Sequence, residues 1–191
     1  MTTETQYEAL TNALNNLIEI NYDRERGYLK AAEDVEDADL KPLFRSLSED
    51  SAKYAKELAD YVRQLHGTPS TGQTLSGQVH QVWLDIKAAI SGRDRDAVIG
   101  SAQFGDKTAV EAYEKVLDMD KTAMIPELQS VLRRQRDAIQ RGLNVISAAK
   151  DSESERTGTS GYTDSPTTSN DTDFTGIRTG GGHVDPISGN Y

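Results

Sequence analysis

The first 150 residues carry apolar side chains on long staircases of threes and fours, and each staircase is interrupted near its middle by polar residues. From Leu10 the steps run through Leu14, Leu17, Asn21, Arg24, Tyr28, Ala31 and Val35. That spacing draws one stripe along a helix of about 3.6 residues per turn, so it predicts a helix with a single inward face. A second staircase uses Leu40, Phe44, Leu47, Ser51, Tyr54, Leu58, Tyr61 and Leu65, with Asp39 placed to cap its start and Pro42 tolerated in its first turn. A third follows the break "SGRD" at 91–94 and uses Ile99, Ala102, Asp106, Ala109, Tyr113 and Val116. The fourth begins near Pro126 and uses Leu128, Leu132, Gln135, Ile139, Gly142, Ile146 and Ala149.

The links between staircases predict the topology. "EDVEDAD" leaves room only for a tight reversal between the first two, and a short link also joins the last two. Between the second and third lies a longer connection, "GTPSTGQT" followed by the shorter helical pattern "LSGQVHQVWLDIKAAI". Short, long, short is the connectivity of ferritin-like bundles, in which the long link crosses over. The expected fold is therefore all-α: a ferritin-like antiparallel four-helix bundle with a crossover helix between its second and third helices.

Composition changes after Lys150. In residues 151–191, Ser, Thr, Gly and Pro fill 23 of 41 positions, and Leu, Met and Ala are absent. Such a segment buries too little apolar surface to offset the entropy of ordering it. The expected division is a bundle over 1–150 and a disordered acidic tail over 151–191. The tail ends in "HVDPISGNY", where Val184, Ile187 and Tyr191 follow a flexible "GGG", a pattern that suits either an inert solubilising extension or a tethered docking motif.

Charge and residue usage narrow the chemistry. A formal net charge of -10 disfavours nucleic acid and anionic membrane surfaces, which need clustered Lys and Arg. There is no cysteine, so thiolate metal sites and cysteine nucleophiles are excluded. The N-terminus has neither a basic nor an apolar leader segment, and no apolar run approaches the roughly 20 residues that span a bilayer. These features predict a soluble cytoplasmic protein. No nucleophile elbow, phosphate-binding glycine loop or HExxH pattern occurs.

The polar interruptions are the candidate site. Asn21 and Arg24 on the first helix, Ser51 and Tyr54 on the second, Asp106 on the third and Gln135 on the fourth would meet in one layer halfway along an antiparallel bundle. In di-iron carboxylate bundles that layer supplies a Glu from each of two helices and a Glu-x-x-His from each of the others. Here it offers one carboxylate, Asp106, and no histidine; His66, His80 and His183 lie at a helix end, in the crossover and in the tail. The expected arrangement is a hydrogen-bonded polar layer that fixes helix register. Arg24 pairs with Asp106 in it, and the hydroxyls of Tyr28, Tyr54 and Tyr113 find partners there.

The stretches "LNNLIEINYDRERGYLKAAEDVEDADLKPLFRSLSEDSAKYAKELADYVRQLHG" and "WLDIKAAISGRDRDAVIGSAQFGDKTAVEAYEKVL" resemble a bacterial ferritin-like four-helix-bundle family of unknown function, over roughly residues 8–148. Set against metal-binding relatives such as the rubrerythrins, "LFRSLSEDSAKYAKEL" is similar to their second helix. The resemblance places Ser51 and Tyr54 on one Glu-x-x-His, Ile139 with Gly142 on the other, and Asn21 and Asp106 on the two remaining Glu positions. It implies a bundle whose metal ligands have been replaced.

Three functional readings follow. The first is a non-catalytic bundle without cofactor, acting through self-association or a protein partner, with a stress role implied by the wider superfamily. The second is a divergent metal protein doing iron or peroxide chemistry with a reduced ligand set, for which Asp106, Glu25 and Glu111 are the residues to consider. The third is a small-molecule binder using the interior near Trp83, in the group "HQVWLDIK" with His80 and Asp85. Glu19, Glu25, Glu111 and Glu114 otherwise read as the solvated flanks of their seams.

Overall fold

A computed structural model of the chain describes residues 3–72, 88–89, 91–92 and 94–158, with side chains between 7 and 149. Five helices account for most of them: α1 (Thr3–Asp34), α2 (Leu40–Gln64), α3 (Arg95–Leu117), the single turn α4 (Asp120–Ala123) and α5 (Pro126–Gly158). All belong to one unit, Met1–Thr159. The last helix runs eight residues past the composition break at Lys150. Most of the proposed crossover helix, including His80, Trp83 and Asp85, lies outside the described residues, as does the tail beyond Gly158.

Two apolar clusters fix the direction of each helix. At one end Leu10, Leu14 and Leu17 of α1 pack with Leu58 and Val62 of α2, Tyr113 and Val116 of α3, and Leu128 and Leu132 of α5. At the other, Ala31 and Val35 pack with Leu40, Phe44, Val98, Ile99 and Ile146. Thus α1 and α5 run one way, and α2 and α3 the other. The connection from Gln64 to Arg95 must then travel the length of the bundle, about 37 Å for a helix the size of α2. This up-down-down-up order is the ferritin-like one. No helix among the described residues is long and apolar enough to cross a membrane.

The staircases of α1 and α3 are buried at every position named from sequence. That of α2 departs after Ser51: Ala55, Leu58 and Val62 are buried, whereas Tyr54, Tyr61 and Leu65 are only partly covered. Strict alternation of threes and fours averages 3.5 and drifts against a helix of about 3.6 residues per turn. The extra step of four from Ser51 to Ala55 takes up the drift and turns Tyr54 to the flank.

A second departure is at the start of α2. Asp39 has helical dihedrals and makes no side-chain cap. Its carboxylate instead receives Arg95 Nη2 at 2.6 Å, while Arg95 Nη1 reaches Asp37. The stronger, charge-assisted partner wins the carboxylate. Arg95 thereby ties the α1–α2 reversal to the start of α3, where Asp94 does cap, accepting from the amide of Ala97 at 2.9 Å.

The end of α2 leads into the crossover through a Schellman reversal. The amide of Gly67 donates to the carbonyl of Val62 and that of His66 to Arg63, each at 2.9 Å. His66 takes the left-handed conformation, φ 60°, that glycine usually fills. The chain then runs back along α1. Asn15 donates to the carbonyl of Thr68 at 3.0 Å and accepts from the amide of Ser70 at 2.8 Å, and Arg26 donates to the carbonyl of Gly72 at 2.6 Å. At Gly72, φ 69°, a Cβ would stand 2.4 Å from the ring of Tyr22, so only glycine fits there.

Candidate functional site

Between the two apolar clusters lies a polar layer. Asn21, Ser51, Asp106 and Gln135 are fully buried and Arg24 is nearly so. Each sits one or two helical turns from leucine or isoleucine on its own seam, which sinks a polar side chain into an otherwise apolar interior. Burial of this kind is tolerated only where hydrogen bonds replace water.

Two connected groups of bonds do so. In the first, Arg24 Nε donates to Asp106 Oδ1 at 3.0 Å and Arg24 Nη1 donates to Ser51 Oγ at 2.9 Å. The Tyr28 hydroxyl donates to the same Asp106 oxygen at 2.7 Å, and Ser51 Oγ passes its own proton to the carbonyl of Leu47 at 2.7 Å. The Arg24 guanidinium also lies 5.5 Å from the centre of the Tyr28 ring. In the second group, Asn21 Nδ2 donates to the Tyr113 hydroxyl and to the carbonyl of Leu17, at 2.7 and 2.8 Å. Tyr113 donates onward to Gln135 Oε1 at 2.7 Å, and Gln135 Nε2 to Glu57 Oε2 at 2.7 Å. Glu57 is also paired with Arg134 at the surface. Together the groups touch α1, α2, α3 and α5.

The electrostatics follow from burial and the one carboxylate. Burial alone pulls Arg24 down, but Asp106 outweighs it and holds the guanidinium above its ordinary value. Burial pushes both Tyr28 and Tyr113 well up, with Asp106 adding to the effect at Tyr28. The two buried phenols therefore stay neutral at physiological pH, and the charges of Arg24 and Asp106 offset each other.

Tyr54 is not in the network. It is half-buried on the flank of α2, and burial followed by the charge of Asp50 raises its phenol. Glu57, one turn further on, makes the α2 contact to Gln135 instead. Its sequence signal was faint: a Glu three residues past Tyr54 reads as an ordinary solvated flank.

Whether the layer suits a di-metal centre is decided by its donors. A guanidinium fills the middle, beside the one fully buried carboxylate; the other polar ends are amides and hydroxyls, apart from Glu57 at the rim, which Arg134 and Gln135 already engage. Iron or manganese pairs want several carboxylates with imidazoles, so the residues present do not fit. The alternative trio does not assemble: Glu111 is exposed and lies five residues from Asp106, about 140° round the helix, while Glu25 is half-buried. Among the described residues there is no cluster of three His, Cys, Asp or Glu placed to hold a metal ion.

The helix order and the polar layer define a ferritin-like four-helix bundle. Two solved structures share that fold. The ferritin-like diiron-carboxylate protein from Bacillus anthracis str. Ames is 19% identical, with TM-score 0.62 over 78% of this chain and 99% of its own. The DPS protein from Vibrio cholerae O1, of the superfamily of ferritin-like diiron-carboxylate proteins, is 13% identical, with TM-score 0.58 over 76% of this chain and 91% of its own. Residues 9–119 match the domain of unknown function DUF2383, and the chain belongs to that family. No curated protein matches it.

Proposed function

We propose that this chain is a non-catalytic bundle whose interior cross-link is an ion pair in place of a metal centre, and that it acts by self-association or by binding a protein partner in the cytoplasm. The observation that carries this reading is the Arg24–Asp106 pair: a fixed cation stands against the one fully buried carboxylate of the layer, with Tyr28 donating to the same carboxylate oxygen and Ser51 accepting from the guanidinium. An ion pair needs no loading or redox partner to hold α1, α2 and α3 in register, and the Tyr113–Gln135 bond adds α5. Its partners supply the hydrogen bonds without which a buried pair is unstable.

The surface supports association more than chemistry. Phe104, 61% exposed, points away from the core of α3, and Leu29, Met124 and Val145 are also open. Sedimentation velocity of the full chain, with and without Phe104→Asp, tests the association half. A concentration-dependent assembly weakened by the substitution supports it, and a strictly monomeric protein removes self-association and leaves the partner.

A second reading, a divergent metal protein, draws support from the likeness to diiron-carboxylate proteins and from Asp106 Oδ2, a buried carboxylate oxygen with no hydrogen-bond donor. Retention of metal by the purified protein separates it from the first. A stress role is consistent with either and is tested by the phenotype of a deletion strain under oxidant or starvation.

A further inference from the structure

The hydrogen bonds of Asp106 are lopsided. Oδ1 receives both Arg24 and Tyr28, whereas Oδ2 is buried and receives nothing. Asn21 Oδ1, on the turn of α1 before Arg24, is likewise buried without a donor. Both residues are 0% exposed. Two orphaned acceptors in one layer call for a donor that the protein itself does not supply.

Gly142 of α5 marks where one would enter. It is the neighbour of Asp106 Oδ2 across the interior: a Cβ added there would stand 3.8 Å from that oxygen and 2.8 Å from Leu47 Cδ2. At this point α5 presents no side chain, and the end of Leu47 is the other group beside the oxygen.

The chemistry of the occupant is restricted. An anion would face Asp106, and both orphaned atoms are acceptors, so they offer it nothing. A second cation would face the fixed guanidinium of Arg24, which already neutralises the carboxylate. A small neutral donor remains, and water is the one that commonly satisfies buried polar groups.

We propose that ordered water occupies the layer, donating to Asp106 Oδ2 beside Gly142 and to Asn21 Oδ1. This inference rests on the interior geometry and holds whether or not the bundle self-associates. It assigns Gly142 a role that helix propensity opposes, since glycine within a helix is unfavourable relative to alanine.

Rotating-frame cross-relaxation between water and isotope-labelled full-length protein tests it. The expected result is a long-lived water contact to the Gly142 Hα protons; no such contact would overturn the proposal. In Gly142→Ala the new methyl, accommodated by movement of the flexible Leu47 end, should abolish the contact, and a contact that persists unchanged would overturn the proposal. The wild-type measurement decides the matter if the variant does not fold.

Discussion

Arg24 on α1 and Asp106 on α3 meet at 3.0 Å with their side chains 6% and 1% exposed, so the two hairpins of the bundle are joined by an ion pair removed from bulk solvent. Taking charges out of water is costly, and Tyr28 and Ser51 offset part of that cost by hydrogen-bonding the carboxylate and the guanidinium. Removing one partner strands the other. Arg24→Met or Asp106→Leu alone is expected to cost about 3–5 kcal/mol, whereas the double variant should lie within about 2 kcal/mol of wild type. Urea unfolding of the four proteins measures this; additive losses would show that the two residues do not act together.

The buried tyrosines give an alkaline signature. Tyr28 and Tyr113 hold their phenol protons more tightly when folded than when unfolded, chiefly through burial. Their contribution is complete below the unfolded value of about 10 and is lost as pH rises above it. Ultraviolet titration of the eight tyrosines should therefore show two that ionise only as the protein unfolds, and Tyr113→Phe should leave one. Eight phenols titrating together near pH 10 in the folded state would contradict the buried network.

The clamp at the other end responds to acid. Hydrogen bonding to Arg95 holds the Asp39 carboxyl below its usual value. A carboxylate depressed by folding adds stability above its unfolded pKa, about 3.9, and the gain disappears as pH falls through the folded value. Arg95→Gln should be less stable than wild type at pH 7, and the gap should narrow below about pH 4. A gap independent of pH would mean that Arg95 contributes by packing alone.

At the end of α2, His66 fills a left-handed position at φ 60°. L-residues spend about 1–2 kcal/mol there relative to glycine, less for short polar side chains. The side chain is exposed and the reversal depends on backbone bonds alone. His66→Gly is expected to stabilise the protein by about 0.5–1 kcal/mol, seen as a higher Tm with an unchanged denaturant slope.

Much of this was legible in the sequence because it depends on period. The three-four seams of α1 and α3 needed only the positions of Leu10 to Val35 and Ile99 to Val116, and the long link before Arg95 set the helix order. The burial of Asn21, Arg24, Ser51, Asp106 and Gln135 followed from their places on those seams. What period could not supply was rotation and partner choice. Tyr54 lies a single residue from Ala55, and a small accommodation of drift decided which faced inward. Asp39 had the chemistry of a cap, but Arg95, 56 residues away in sequence, claimed its carboxylate. Glu57 reached Gln135 only because α2 and α5 are neighbours, a fact of tertiary structure.

In the proposed function the Arg24–Asp106 pair, and no metal, closes the middle of the bundle. Elemental analysis of the purified protein, after aerobic incubation with Fe(II) and desalting, with Asp106→Ala alongside, tests it most directly. The account predicts no retained iron or manganese above background in either protein. Roughly stoichiometric metal in the wild type that is lost in Asp106→Ala would contradict it and make Asp106 a ligand.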